Sequence, residues 1–346
     1  MKKITVITIT ILFIITNLSF AETDTTKTKK LTYNFQIAPS IGHHFGKTEY
    51  ILDASYALPD TLGIYNTYRI KSQLEFPLDV FTVGFDLNLS PDTPEKKWSV
   101  EAGFYTNFND PGGIMKDSDW LGIERHIDFT KFSYTESKTK MRMYVFNTAF
   151  SHHLTKFQGM NISFTGGFRY QTIKQDIMGL DGWQSQLDTL NLILLPPVSF
   201  SLDDNLQVGY YEITFKQILL GLTTELYNTG KFTARLKTLY APVYFDDFDD
   251  HILRHKTSTS DGDGSGFIAS ADFSYRLPNH SKSKNTFISG SFEILTLNAN
   301  ALQEQRWYGD DPATPGEDDT GNIQRGIPHE INSTQFNFGL KVGLTF

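Results

Sequence analysis

The final dozen residues constrain the fold of this chain more than any other segment. Phe336, Phe338, Leu340, Val342, Leu344 and Phe346 are apolar, while Gln335, Asn337, Gly339, Lys341, Gly343 and Thr345 between them are polar or small. A period of two places one face of an extended strand in an apolar medium and the other in a polar one. The pattern recurs along the chain. Trp98, Val100, Ala102 and Phe104 alternate with Ser99, Glu101 and Gly103, and Ile162, Phe164, Gly166 and Phe168 form a second such run. Phe267, Ala269, Ala271, Phe273 and Tyr275 give a third, and Ile288, Gly290, Phe292 and Ile294 a fourth. The phase changes once, between Val80 and Phe81, which predicts a β-bulge there. A mean hydropathy of −0.30 reads as soluble. Averaging hides strict alternation, however, and a membrane barrel with a polar lumen has just this composition.

The other end sets the compartment. Met1, Lys2 and Lys3 precede an apolar run from Ile4 to about Leu18, followed by Ser19, Phe20 and Ala21. A charged start, a short apolar run and a small-x-small site predict a secretory signal over residues 1–21, leaving 22–346 as one mature domain. No later run approaches the roughly 20 apolar residues that a spanning helix needs. The absence of cysteine excludes disulfide scaffolds, zinc ribbons and thiol nucleophiles. A net charge of −8 without a basic block excludes nucleic acid as a partner.

Connector spacing predicts the topology. Short polar turns fall near residues 90–97, 155–159, 228–231 and 278–284, and long loops near 59–66, 109–131, 175–207, 246–266 and 302–329. Alternating short and long connections are those of a membrane barrel. Four turns and five loops join ten strands, so the fold class is all-β: a ten-stranded antiparallel transmembrane β-barrel with both termini on the periplasmic side. A strand over residues 231–245 would span about 50 Å, twice an apolar band of about 25 Å, so the barrel extends beyond the outer membrane. A lumen of this size is filled by side chains and does not conduct. Outer-membrane barrels habitually end on a strand like the last one, which their assembly machinery reads. Phe346 is therefore expected to engage that machinery.

Two loops hold the residues with chemical potential. The second carries Gly112-Gly113-Ile114-Met115-Lys116-Asp117-Ser118-Asp119-Trp120. Asp117 and Asp119, at i and i+2 on extended chain, point the same way. Carboxylates held close do not both ionise, so the pair retains a proton and can position a water. The fourth carries Asp246-Asp247-Phe248-Asp249-Asp250-His251. Asp249 and His251 share a face, and a carboxylate beside an imidazole fixes its tautomer and raises its basicity. Solvated acidic loops, or a divalent-cation site in the fourth, are the alternatives from these residues alone.

Taken together, Gly-Gly-x-Met-x-Asp-x-Asp-Trp and the later Asp-x-Asp-x-His resemble the omptin family of outer-membrane proteases. Ser40-Ile41-Gly42 with Gly46-Lys47-Thr48, Ser72-Gln73-Leu74, and Thr135-Glu136-Ser137 are similar to it in order and spacing. The resemblance implies an endopeptidase in the Gram-negative outer membrane, cleaving peptides at or next to basic residues at its extracellular rim. Asp117, Asp119, Asp249 and His251 match the catalytic positions. Asp247, Tyr50 and Glu136 fall at substrate-binding positions: Asp247 matches an acidic pocket residue, Tyr50 stands where the family has a pocket Glu, and Thr135 replaces an Asp before Glu136. Glu49, one residue from Tyr50, would face the other side of the strand. The family also requires lipopolysaccharide as an activator, gripped on the outer wall. There Tyr170 matches, Lys174 replaces an Arg, and Thr172 and Thr214 replace a Glu and an Arg. Cofactor and metal are not implied.

Asp246, Asp247, Asp250, Asp310, Asp311, Glu317, Asp318 and Asp319 would draw cationic peptides toward such a rim. Residues 261–266 read as a flexible acidic loop lacking the spacing of a calcium site. His43-His44 and His152-His153 face opposite ways if they lie on strands, and so do not chelate. A catalytically silent barrel serving as an adhesin or structural protein, and a small channel, are the rival readings.

Overall fold

The computed structural model describes residues 33–59, 65–91, 97–188, 191–278, 285–312, 316 and 318–346. The expected signal over residues 1–21 lies outside them. The strands in chain order are β1 (Tyr33–Pro59), β2 (Tyr65–Pro77), β3 (Val80–Pro91), β4 (Trp98–Asn107), β5 (Met115–Ile123), β6 (Ile127–Phe157) and β7 (Met160–Gln184). They continue with β8 (Leu187–Asp188), β9 (Ile193–Leu194), β10 (Val198–Asn228), β11 (Phe232–His251), β12 (Lys256–Arg276), β13 (Asn285–Trp307) and β14 (Ile323–Thr345). Twelve of them form one antiparallel sheet, which closes into a ring where β1 pairs with β14 from Gln36↔Thr345 to Leu52↔His329. β8 and β9 pair only with each other.

β2 and β3 both pair with β1, and β4 and β5 both pair with β6, so each couple is one barrel stave with a break in it. The ring therefore has ten staves, as expected from the connectors. The breaks are patched. Leu78 N donates to Gly46 O at 3.1 Å and Gly112 N to Asp79 O at 3.0 Å. Asn107 Oδ1 accepts from Met143 N at 2.6 Å and Asp110 Oδ1 from Met141 N at 3.0 Å. These side chains replace the missing ladder bonds.

The expected bulge at Val80–Phe81 is not what the structure contains. Leu74, Phe76, Leu78, Val80 and Thr82 all face the interior, while Phe81, Val83 and Phe85 face out. The geometric phase is unbroken; what changes is which face is apolar. Beyond Val80 the apolar residues lie outside, as do Ile41, Phe338, Leu340 and Val342, the pattern of a wall suited to lipid. Before it, the apolar residues turn inward to form a core of Tyr50, Phe76, Met143, Ile173, Tyr211, Phe215, Phe245 and Ile331, as in a wall surrounded by water.

The long connections are also less loop-like than expected. Alternation continues through them as strand. β6 and β10 each run for 31 residues, where a spanning strand needs about 9–11. Residues 261–266 lie within β12, paired with both neighbours, rather than in a flexible loop. β11 and β12 meet in a tight 3-10 turn, Ile252–Arg254, closed by His255 in the left-handed region (φ 48°). Asp117, Asp119, Asp249 and His251 consequently stand on strands at one end of the barrel, the end opposite the short turns.

Candidate active site

On β5, Asp117 lies opposite Leu74 of β2 and Thr135 of β6, and Asp119 opposite Ser72 and Ser133. Both carboxylates face inward. Asp119 accepts hydrogen bonds from Ser72 and Ser133, whereas Asp117 Oδ1 is buried with no hydrogen-bond partner among the described residues. Burial, then the neighbouring Asp119, then Asp249 across the ring push the Asp117 pKa well above the usual carboxylate range. Burial also raises Asp119, and the two serine bonds, Arg254 and His251 hold that rise back. Burial thus favours the protonated form at both carboxylates, most strongly at Asp117.

β11 carries the second pair. Asp249 is buried, and its Oδ2 lies 2.7 Å from His251 Nε2. The imidazole keeps 29% of its side-chain surface exposed, so it reaches the cleft while its partner does not. β5 and β11 are on opposite sides of the ring, and their acidic groups feel one another across the mouth.

Below these pairs lies Asp247, two residues before Asp249 and on the same inner face. Its Oδ1 accepts from Ser260 N at 3.1 Å and from the Ser260 hydroxyl, and its Oδ2 from Tyr211 OH at 3.4 Å. Burial pushes its pKa up to about 7 against those bonds. His329 adds Nδ1 at 2.7 Å from Ser260 Oγ and Nε2 at 3.7 Å from Asp247, and burial lowers its pKa to about 4. Tyr50 is fully buried, with its ring 4.2 Å from His329 and edge-on to Tyr211 at 6.0 Å, and its hydroxyl accepts from Gln303.

Two expectations for this region part ways. Glu49 does face outward, bonded to Gln73 and Lys47, as strand parity requires. Glu136 does too, and accepts from Tyr134 OH at 2.5 Å on the outer wall. Thr135 and Ser137 are the inward residues of that segment. Glu136 is thus outside the cleft, because the residue type that resembles the family's motif falls on the wrong face of β6.

The outer-wall positions do converge. Tyr170, Thr172 and Lys174 of β7 stand opposite Lys216, Thr214 and Glu212 of β10. Lys174 Nζ donates to Glu212 at 2.9 Å, and the Thr172 and Thr214 hydroxyls meet at 3.1 Å. His43 and His44 face opposite sides, on Asp79 and Asn337 respectively. Among the described residues no three His, Asp or Glu side chains converge as metal ligands would.

Sequence reasoning missed the cationic side of the cleft. The tight turn sets Lys256 opposite His251, and Lys256 Nζ donates to Gln305 Oε1 at 3.3 Å over the Trp307 ring. Burial and Arg254 lower its pKa to about 8, opposed by Asp249, Asp311 and Asp119. Arg254 grips the buried Asp311 at 2.8 and 3.1 Å, and Trp307 Nε1 donates to the same carboxylate at 3.2 Å.

No curated protein sequence matches this chain. The fold is similar to that of the outer-membrane protease OmpT of Escherichia coli, with TM-score 0.66, 17% identity, and 92% of this chain and 100% of that one covered. OccAB4 of Acinetobacter baumannii (8% identity, TM-score 0.09) and an anion-selective porin of Comamonas acidovorans (10%, 0.11) are matched at the same coverage. The omptin family model matches residues 33–316, a span that holds every residue of the two pairs. The chain belongs to the omptin family.

Proposed function

We propose that this protein is an outer-membrane endopeptidase that hydrolyses peptide bonds in the cleft between Asp117/Asp119 and Asp249/His251. The observation that carries the reading is the 2.7 Å contact between Asp249 and His251, facing a buried carboxylate pair that favours a shared proton. A water in the gap loses its proton to His251 as its oxygen attacks the scissile carbonyl. Asp249 stabilises the imidazolium that forms. The Asp117/Asp119 pair positions the water and, through its retained proton, stabilises the developing oxyanion. The imidazolium then returns its proton to the departing amine. No covalent intermediate is needed.

The rim acids would favour cationic peptides, with rates that fall as salt rises. The Tyr170–Lys174 face would hold lipopolysaccharide, and Phe346 would engage the assembly machinery; the active end would then face the medium. Protein refolded in detergent, with and without lipopolysaccharide, is given quenched-fluorescent peptides beside His251→Ala. Cleavage that disappears in the variant supports the reading. Absence of cleavage by folded barrel under both conditions leaves an adhesin or structural barrel in its place.

A further inference from the structure

Asp247 and His329, at the floor of the cleft, lie on strands paired on both sides. His251, at its rim, does not share that support. It is the last residue of β11, one beyond the final β10 pair at Tyr210↔Asp250, and its ladder partner on β12 is Lys256. Strand ends fray unless something ties them down.

The tie is the segment at the end of β13. Lys256 pairs with Trp307 as well as with His251, so the three stand in one row across β11, β12 and β13. From Trp307 the chain returns to the Ile252–Arg254 turn. Tyr308 N donates to His255 O at 2.9 Å, and His255 Nδ1 donates to Asp310 O at 2.8 Å. Gly309 permits this approach, since a Cβ there would lie 3.1 Å from three atoms of His255. The Tyr308 hydroxyl donates to Asp250 Oδ1 at 3.1 Å. The segment thus holds both the residue before His251 and the turn after it.

Asp311 fixes the segment in turn. Asp310 beside it is exposed, whereas Asp311 keeps only 1% of its surface. Its Oδ2 accepts from Arg254 Nη2 at 2.8 Å, from Arg254 Nε at 3.1 Å and from Trp307 Nε1 at 3.2 Å. This carboxylate is engaged within the protein rather than offered to peptides at the rim. A buried charge stays bound to its partners because separating them strands it.

We propose that Asp311 is a positioning residue of the active site: by joining Arg254 to Trp307 it closes the Trp307–Asp311 segment onto the β11–β12 turn, and so holds the His251 imidazole against Asp249. As a role in turnover this rests on the endopeptidase reading; as a constraint on the imidazole it does not.

The kinetic test compares Asp311→Ala with Asp310→Ala on quenched-fluorescent cationic peptides. Loss of Asp311 should lower kcat about tenfold to a hundredfold, the cost of misplacing a reacting group by about an ångström, with KM little changed. Asp310→Ala, which removes an exposed rim charge, should change KM alone. Trp307→Phe and Tyr308→Phe each delete one hydrogen bond and keep an aromatic ring, so they stay informative where the alanine variant does not fold. Each should lower kcat about two- to tenfold. Unchanged kcat in folded Asp311→Ala, or in both phenylalanine variants, overturns the proposal.

A second arm needs no turnover. The ring-nitrogen NMR signals of His251, identified with His251→Ala in histidine-labelled barrel, show one tautomer when the imidazole is held and an average when it is not. Wild type should show one tautomer, and Asp311→Ala or Trp307→Phe an average. Identical signals in wild type and variants overturn the proposal even in a barrel that cleaves nothing. Absence of cleavage together with the expected signals sinks only the endopeptidase reading.

Discussion

His251 Nε2 lies 2.7 Å from Asp249 Oδ2, with the carboxylate buried and the imidazole open to the cleft. Asp249→Asn keeps the shape but removes the charge that stabilises the imidazolium, and should lower kcat by about 10³–10⁴ with KM little changed. His251→Ala should lose at least as much. Steady-state kinetics on heat-modifiable, folded barrel checks both; a change confined to KM would remove the pair from the chemistry.

Asp117 pays for its position in stability. It is buried beside Asp119, one oxygen has no hydrogen-bond partner among the described residues, and its pKa is raised by burial and like charge. Asp117→Asn relieves the repulsion, so it should leave thermal stability unchanged or higher while cutting kcat by about 10²–10⁴. Melting curves and kinetics on the same preparation decide this. Lower stability together with intact activity would contradict the assignment.

Strand parity explains how far the sequence could be read. Ten staves, the short turns and the inward couples Asp117/Asp119 and Asp249/His251 follow from a period of two, which needs no tertiary knowledge. Parity also separates Glu49 from Tyr50, and applied to Glu136 it would have placed that residue outside, beside inward Thr135. Val80–Phe81 misled because apolarity marks the interior in water and the exterior in lipid. Ser260 lies opposite Asp247 only once the β11–β12 turn is known to be tight. His329 reaches the floor through ring closure between β1 and β14, which no local pattern encodes.

The floor should give opposing pH responses. His329, lowered from 6.5 to about 4, binds a proton more readily when unfolded, so its contribution to stability is lost as pH falls from 6.5 through 4. Asp247, raised from 3.8 to about 7, binds a proton more readily when folded, so stability rises as pH falls from 7 toward 4. In His329→Gln the first response is absent. The melting temperature of wild type minus that of the variant should shrink steadily from pH 6.5 to 4. A difference that stays constant would show that His329 is not held neutral by the fold.

Below the site, the lumen is barred by ion pairs that run between distant staves. Arg169 of β7 donates to Glu293 of β13 at 2.7 and 2.8 Å, and Arg235 of β11 to Glu101 of β4 at 3.1 Å. They line a cavity of about 240 Å³, with the apolar core above it. The barrel should be electrically silent in planar bilayers, and a steady porin-like conductance would refute this closure. The Arg169–Glu293 strut is partly buried, at 8% and 20% side-chain exposure, so removing one partner strands the other. Glu293→Gln or Arg169→Met alone should each cost about 3–5 kcal/mol, and the double variant should recover much of that loss. Urea unfolding in lipid vesicles gives the coupling. Additive single losses would mean that the two side chains stabilise the barrel independently rather than as a strut.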